Sequence, residues 1–328
     1  MKVLVTGSWG LVGQSLVKQL VEGGFSVCAL AEGEHPHLEK QGIKIERGSV
    51  LDPESLAYSL AGVKAVFHCH HLLEWWPPSS PNAAAVNYDG TRNLLVAMSR
   101  TGVEQLVYIG SAIVFGYGTV DDPGNEERPY SAGKFRLACF DSLNRAANLL
   151  ARYSKDGRVR VVSVNPTMVL GGPDPLNSFS RLLVSCATRE RAGHPSGGLN
   201  LVSADAAAGA ALRALGRGRA GMSYIIGGEN VTYREIFAKR REAAGISPQT
   251  VPLTDRRILL KGAAGSLGAA VSGRRPALSL ETARLALTGL YYDASRASEE
   301  LGLTRCGVDP LIEKACYLHL DRGKSGRV

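Results

Sequence analysis

The chain has 328 residues, 45% of them hydrophobic and 21% charged, which is enough to enclose a full core as a soluble globular protein with one large domain and an added lobe. Its formal net charge is +8, yet the basic clusters at Arg240-Arg241, Arg256-Arg257, Arg274-Arg275 and in the tail 321–327 carry no interleaved aromatics, so a nucleic-acid partner is not expected. The start lacks a signal-peptide core and no segment is an uninterrupted apolar span, so a cytoplasmic protein without a membrane span is expected; cysteines at 28, 69, 139, 186, 306 and 316 show no CxxC pairing that would mark a metal site or a disulfide framework.

The first strand pattern, Met1 to Val5, runs into Thr6-Gly7-Ser8-Trp9-Gly10-Leu11-Val12-Gly13 and then an apolar-periodic helix near Leu11–Gly23. A strand, a glycine turn and a helix N-terminus form a cradle for a pyrophosphate. Glycine lets backbone approach the anion, and the first-turn N–H groups and helix dipole favour its charge. A glycine turn that merely closes helix onto strand is the alternative. The context favours a dinucleotide, because a second strand at Phe25–Leu30 continues the unit and Glu32 stands near its end.

Further strands are read at Ile43–Glu46, Ala65–His68, Gln105–Ile109 and Val159–Val164, with helices near Pro53–Leu60, Tyr88–Thr101 and Lys134–Ser154. This alternation predicts an α/β fold with a doubly wound parallel sheet. After Gly171-Gly172-Pro173 the pattern loosens into a Gly/Pro/Ser-rich stretch at His194–Gly198, an alanine-rich helix at Asp205–Leu215 and a short strand at Tyr224–Ile226. Helices follow at Thr232–Ala244, Arg256–Val271 and near Asp309–Leu320. Residues 1–172 with about 200–220 are assigned to a dinucleotide-binding Rossmann domain, and 173–199 with 221–328 to a smaller, mostly helical substrate lobe.

Tyr130-Ser131-Ala132-Gly133-Lys134 opens the long helical pattern. Positions four apart share a helix face, so the Lys134 ammonium is expected beside the Tyr130 phenol, lowering its pKa and making it a usable acid or base. An amphipathic helix with a surface lysine is the plain alternative. Ser111 follows the fifth strand at Ile109-Gly110, where ligands bind outside the carboxyl ends of parallel strands.

These segments, with Asn87-Tyr88-Asp89-Gly90-Thr91-Arg92-Asn93 and Asn165-Pro166-Thr167-Met168-Val169-Leu170-Gly171, resemble the extended short-chain dehydrogenase/reductase superfamily, NAD-dependent epimerase/dehydratase type, over nearly the whole chain. Asn200-Leu201-Val202-Ser203-Ala204-Asp205, Tyr224 to Asn230 and Tyr291-Tyr292-Asp293 are most similar to its hopanoid-associated sugar-epimerase-like and dihydroflavonol-reductase-like branch. The resemblance implies that Tyr130 exchanges a proton with the substrate oxygen while hydride passes to or from nicotinamide C4. Lys134 would hold the nicotinamide ribose, Ser111 would orient the reacting oxygen with Ala112 beside it, and Asn87 would support this end of the sheet and its proton path. Pro166 and Val169 would line the nicotinamide, and a homodimer would form through the helices near 88–101 and 134–154.

Three departures bear on the cofactor. NADP-preferring relatives carry an arginine after the second strand, whereas Glu32 would accept from ribose hydroxyls and repel a 2′-phosphate, so NAD is expected and NADP is the alternative. The adenine-contacting acid is replaced by Ser49, followed by Val50. The fourth strand ends in His68-Cys69-His70-His71 where relatives have small residues beside the dinucleotide. There Cys69 and His70 would border the cofactor, the rings would pack or face solvent, and His70 or His71 is a candidate added acid/base; a metal site is disfavoured because alternate strand residues face opposite sides. Trp75 and Trp76, with His71, would wall a small-molecule pocket suited to an apolar or ring-shaped substrate, or the indoles would pack a long loop onto the surface.

The leading expectation is an NAD(P)-dependent oxidoreductase interconverting a secondary alcohol and a ketone. The rivals are a nucleotide-sugar epimerase, which needs a basic clamp such as Arg181, Arg189 or Arg191, and a non-redox catalyst or binding protein using His70 or His71.

Overall fold

A computed structural model describes residues 1–39, 41–171, 192–304 and 307–312. The first strands are β1 (Lys2–Thr6), β2 (Ser26–Ala31), β3 (Lys44–Arg47), β4 (Ala65–His68), β5 (Gln105–Ile109) and β6 (Arg160–Pro166). They are followed by β7 (Met168–Leu170), β8 (Ala192–His194), β9 (Gly198–Ser203), β10 (Ser223–Ile226), β11 (Glu229–Thr232), β12 (Thr250–Pro252) and β13 (Gly289–Leu290). A seven-stranded sheet runs in the order β10-β6-β5-β4-β1-β2-β3, and every pairing in it is parallel.

Such a sheet is covered on both faces, so its strands read as continuous apolar runs. Alternation then divides each strand between two cores. Val3 and Val5 join Leu16, Val17 and Leu20 of the helix Leu11–Glu22 and alanines of the helix Ala204–Arg217 on one side. Leu4 faces the other core, built with Leu56, Leu94, Leu95 and Met98. Each fully buried leucine contributes about 2 kcal/mol. The two helices of the first core lie close because the second is lined with alanine, and Ser15 donates to Asp205 across their start at 2.6 Å.

The chain moves outward from β1 through β2 to β3 and then returns to β4 on the other side of β1. That reversal opens a crevice at the carboxyl ends of β1 and β4, where ligands of doubly wound sheets bind.

The lobe carries more strand than the sequence pattern implies. β9 pairs with β7, β11 and β13, and β12 pairs with β8. Asn200 on β9 ties this sheet together, bonding Asn230 at 2.7 Å, the Gly228 N–H at 2.9 Å and the Thr167 hydroxyl at 2.8 Å. The central sheet also reaches past residue 221, because β10 forms its edge beside β6. Helices Tyr233–Ala243, Asp255–Ser272 and Leu280–Ala286 complete the lobe. Most of the expected helix at 309–320, and the start of the lobe at 173–191, lie outside the described residues.

Candidate active site

The glycine turn is built as the spacing requires. Gly7 has φ +67°, and a Cβ there would lie 2.7 Å from the backbone of Cys69 and His70. Only glycine fits both the left-handed conformation and the close approach of β1 to the exit of β4. A Cβ on Gly13 would meet the Gly7 carbonyl at 2.2 Å, so that position sets the packing of helix on turn. Gly10 differs, since its Cβ would meet only the Gly7 oxygen at 3.5 Å. It begins the helix with no side-chain cap and no acid in the first turn, leaving the first N–H groups open to an anion. Leu11 and Val12 follow in that turn, and the Ser8 hydroxyl is buried without a partner among the described residues. An exposed Glu32 stands just past the end of β2. These residues fit a dinucleotide.

Trp9 adds a feature particular to this chain. Its indole lies parallel to His35, with ring centroids 5.1 Å apart, and edge-on to His70 at 4.9 Å. The Trp9–His70 contact thus bridges β1 and β4 at the crevice. Burial lowers the His70 pKa, and Glu32 opposes that shift. Ser49 is turned to local work, its hydroxyl oxygen accepting from the Leu51 N–H at 3.2 Å. The Val50 side chain is 1% exposed and packs on Gly90 in the core.

The four residues ending β4 have separate fates. His68 is fully buried, bonded to the hydroxyls of Thr6 at 2.6 Å and Thr91 at 3.2 Å. Thr91 donates its only hydroxyl hydrogen to the Asn87 carbonyl at 2.7 Å, so it accepts from His68 Nε2–H, and Nδ1 accepts from Thr6. His68 is a neutral core residue whose pKa burial holds down to about 3. Burial raises the Cys69 thiol well above its usual range. His71 is also held neutral, at about 4, by burial first and by His70 second, against a hydrogen bond to the Ile109 backbone. Its Nδ1 is buried without a partner among the described residues. Among the described residues no cluster of His, Cys, Asp or Glu is placed to hold a metal ion.

Asn87 lies in a π-helical turn, Ala85–Gly90, a local irregularity common at functional sites. Its amide accepts from the Leu72 N–H at 2.7 Å and donates to the Leu72 carbonyl and Ser142 hydroxyl, both at 3.0 Å. It therefore fastens the loop leaving β4 to the helix Ala138–Lys155. Ser111 follows β5 and starts the turn Ala112–Val114, its oxygen accepting from the Ile113 N–H at 3.4 Å. Ala112, expected on the substrate side, is 1% exposed and lies in the core against which Trp75 and Tyr130 pack. Pro166 ends β6 buried, and Val169 on β7 is half-buried against the first core.

Tyr130 and Lys134 differ most from expectation. They do not begin the long helix, which starts at Ala138. Residues Ala132–Phe135 form a 3₁₀ turn, and Arg136 then takes a left-handed conformation with φ 54°. The pair consequently does not share an α-helical face. Tyr130 donates to Asp141 Oδ1 at 2.7 Å, while Lys134 Nζ stands over the Tyr117 ring, 5.0 Å from its centroid. The phenol pKa is raised rather than lowered, by burial first and then by the hydrogen bond to and charge of Asp141. Asp141 is the residue that sequence reasoning missed, and no spacing rule links positions eleven apart across a turn.

Trp75 and Trp76 do wall a cavity. It measures about 140 Å³ and is lined also by Met168, Leu199, Tyr233, Leu278 and Leu285, so it lies between the loop after β4 and the lobe. Trp75 Nε1 and the hydroxyls of Tyr117 and Tyr292 are buried without partners among the described residues. The arginines considered for a diphosphate clamp, Arg181, Arg189 and Arg191, lie outside the described residues.

A parallel sheet in this order, with a glycine turn at its switch point and an acid after β2, defines a dinucleotide-binding protein of the Rossmann class. Residues 3–225 match the family model for the NAD dependent epimerase/dehydratase family. The chain belongs to that family, an enzyme family of the extended short-chain dehydrogenase/reductase superfamily whose cofactor is NAD. It is 30% identical over 277 residues to a 2-alkyl-3-oxoalkanoate reductase of Stenotrophomonas maltophilia, covering 80% of each chain. It is 26% identical over 331 residues to sterol demethylase protein B of Methylococcus capsulatus, covering 98% of this chain and 99% of the relative. The crystal structure of gox2253 superimposes with a TM-score of 0.83 at 26% identity over 98% of both chains.

Proposed function

We propose that this chain is an NAD(H)-dependent oxidoreductase that interconverts a secondary alcohol and a ketone on an apolar substrate, working chiefly as a reductase. The observation that carries this reading is the cavity walled by Trp75, Trp76, Met168, Leu199 and Leu285, with Arg275, Ser279 and Thr282 at its edge, whose mostly apolar lining suits a substrate with a hydrocarbon body. The names of the relatives, an oxoalkanoate reductase and a sterol-processing protein, support the same substrate class.

In this reading Gly7, Gly10 and Gly13, with the first-turn N–H groups of Leu11 and Val12, hold the pyrophosphate, and Trp9 and Glu32 border the adenosine. Glu32 accepts from ribose hydroxyls, which favours NAD over NADP. Cys69 and His70 line the β4 side of the crevice through their backbone, and Pro166 and Val169 line the nicotinamide side. The bound cofactor supplies hydride exchange at the nicotinamide.

The protein supplies position and the proton. Ser111 keeps its hydroxyl hydrogen to donate to the substrate oxygen. Burial, and after it Asp141, keeps Tyr130 protonated near neutral pH, and its hydroxyl hydrogen, given to Asp141 in this structure, turns to the substrate oxygen for Tyr130 to act as the acid. Asp141 is exposed and can pass a solvent proton back to the phenol. Lys134, over Tyr117, adds positive charge to this end of the site.

The test is consumption of NADH with hydrophobic ketones of graded chain length. Alcohol formation matching NADH loss supports the reading. Inversion of a nucleotide sugar with no net NADH change would replace it with the epimerase.

A further inference from the structure

The helix Asp255–Ser272 is built inside out. Its buried residues are Ile258, Gly262 and Ala269, and Cβ atoms on Gly262 and Gly265 would lie 2.6 Å from Ala283 and 2.1 Å from the Leu278 carbonyl. Small residues therefore bring this helix close onto the lobe. Three large apolar residues point away, with Leu260 71%, Leu267 69% and Val271 85% exposed. Together with exposed Ala264 they follow the spacing 260, 264, 267, 271, which forms one continuous stripe on an α-helix. Apolar side chains protruding in register mark a contact surface rather than scattered exposure.

Charge identifies the occupant. The segment 255–275 holds Arg256, Arg257, Lys261, Arg274 and Arg275 against one acid, Asp255. Among the described residues Arg256, Arg257, Lys261 and Arg274 form no side-chain ion pair or hydrogen bond, and Asp255 is engaged by the Ser196 hydroxyl at 3.0 Å. The cations stand at both ends of the stripe. A second copy laid antiparallel on this helix would set arginines against arginines, and a parallel copy would do the same. An anionic lipid surface satisfies both parts, taking the apolar stripe at its boundary and pairing the basic ends with headgroups.

We propose that the helix Asp255–Ser272 docks the protein peripherally on an anionic lipid bilayer, with Leu260, Leu267 and Val271 inserted and the flanking arginines on the headgroups. No helix among the described residues is long and apolar enough to cross a membrane, which agrees with lying on the surface. An open groove of about 480 Å³ runs along this helix past Lys261 and Gly268, and shares Arg275, Pro276, Ala277 and Leu278 with the wall of the cavity beneath the tryptophans. Docking stands without any substrate assignment; that the groove delivers an apolar substrate from the lipid rests on the proposed function.

The experiment is flotation of the full chain with vesicles of phosphatidylcholine alone or mixed with phosphatidylglycerol, at low and high salt. The expected result is co-flotation with the mixed vesicles, weakened by salt. It falls more than tenfold in Leu260→Gln/Leu267→Gln/Val271→Gln and in Arg256→Glu/Arg257→Glu, all solvent-exposed changes whose folding circular dichroism checks. Absence of wild-type flotation, or equal flotation of the leucine variant, overturns the proposal. So does a lipid-free dimer by light scattering that the leucine variant abolishes, which would assign the stripe to a second copy.

Discussion

The phenol of Tyr130 donates to the carboxylate of Asp141 at 2.7 Å, and the ammonium four residues on, that of Lys134, stands over Tyr117 instead. Burial first, and then this negative partner, stabilises the neutral phenol and raises its pKa. Replacing Asp141 by Asn removes the charge and keeps the shape. The pH at which Tyr130 loses its proton then falls, while the larger effect of burial stays. The rate of alcohol oxidation measured against pH will show its rising limb displaced downward, whereas Tyr130→Phe will lower turnover by roughly 10²–10⁴-fold at every pH.

The glycines separate folding from binding. Gly10→Ala meets only an ordinary contact at 3.5 Å, so stability stays within about 0.5 kcal/mol of wild type, while NADH affinity drops because the methyl enters the cradle. Gly13→Ala would place its Cβ 2.2 Å from the Gly7 carbonyl, costing about 1–3 kcal/mol through overpacking. Urea unfolding with isothermal titration of each variant distinguishes the two.

His68 and His71 are neutral in the fold, at about 3 and about 4, against an ordinary histidine value of 6.5. Below pH 6.5 the unfolded chain binds protons that the folded chain refuses, so stability present above that pH is lost as pH falls toward 4 and 3. At pH 5 each histidine withdraws about 2 kcal/mol. Urea midpoints at pH 7.5 and 5 read the loss, and His71→Gln will reduce it by roughly half.

Trp76→Ala enlarges the apolar cavity and removes contact with hydrocarbon. The account expects KM for a long-chain ketone to rise by about tenfold or more, as burial of aromatic surface is worth over 1.4 kcal/mol, with kcat for a short ketone nearly unchanged. Steady-state kinetics on both substrates check it.

Much of this was legible in the sequence, for physical reasons. Strands buried on both faces, such as Leu4 and Val5 or Val66 and Phe67, announce themselves as apolar runs. The glycine turn announced itself too, because φ +67° at Gly7 and the tight contact at Gly13 admit one residue type. The Tyr130–Lys134 geometry was not legible, since a four-residue spacing encodes a shared face only while the helix continues, and the left-handed turn at Arg136 interrupts it. Nor was β9, whose Asn200 looks like a loop residue until its buried bonds to Asn230 and Gly228 are seen. Trp9 and His70, 61 positions apart, meet only because the sheet order places β4 beside β1.

The most direct test of the account is calorimetric titration with NADH and NADPH, followed by addition of a hydrophobic ketone to the NADH complex. The account predicts NADH binding tighter than NADPH, then one NADH consumed for each alcohol formed. Failure of both nucleotides to bind, or turnover that leaves NADH unchanged, would contradict it.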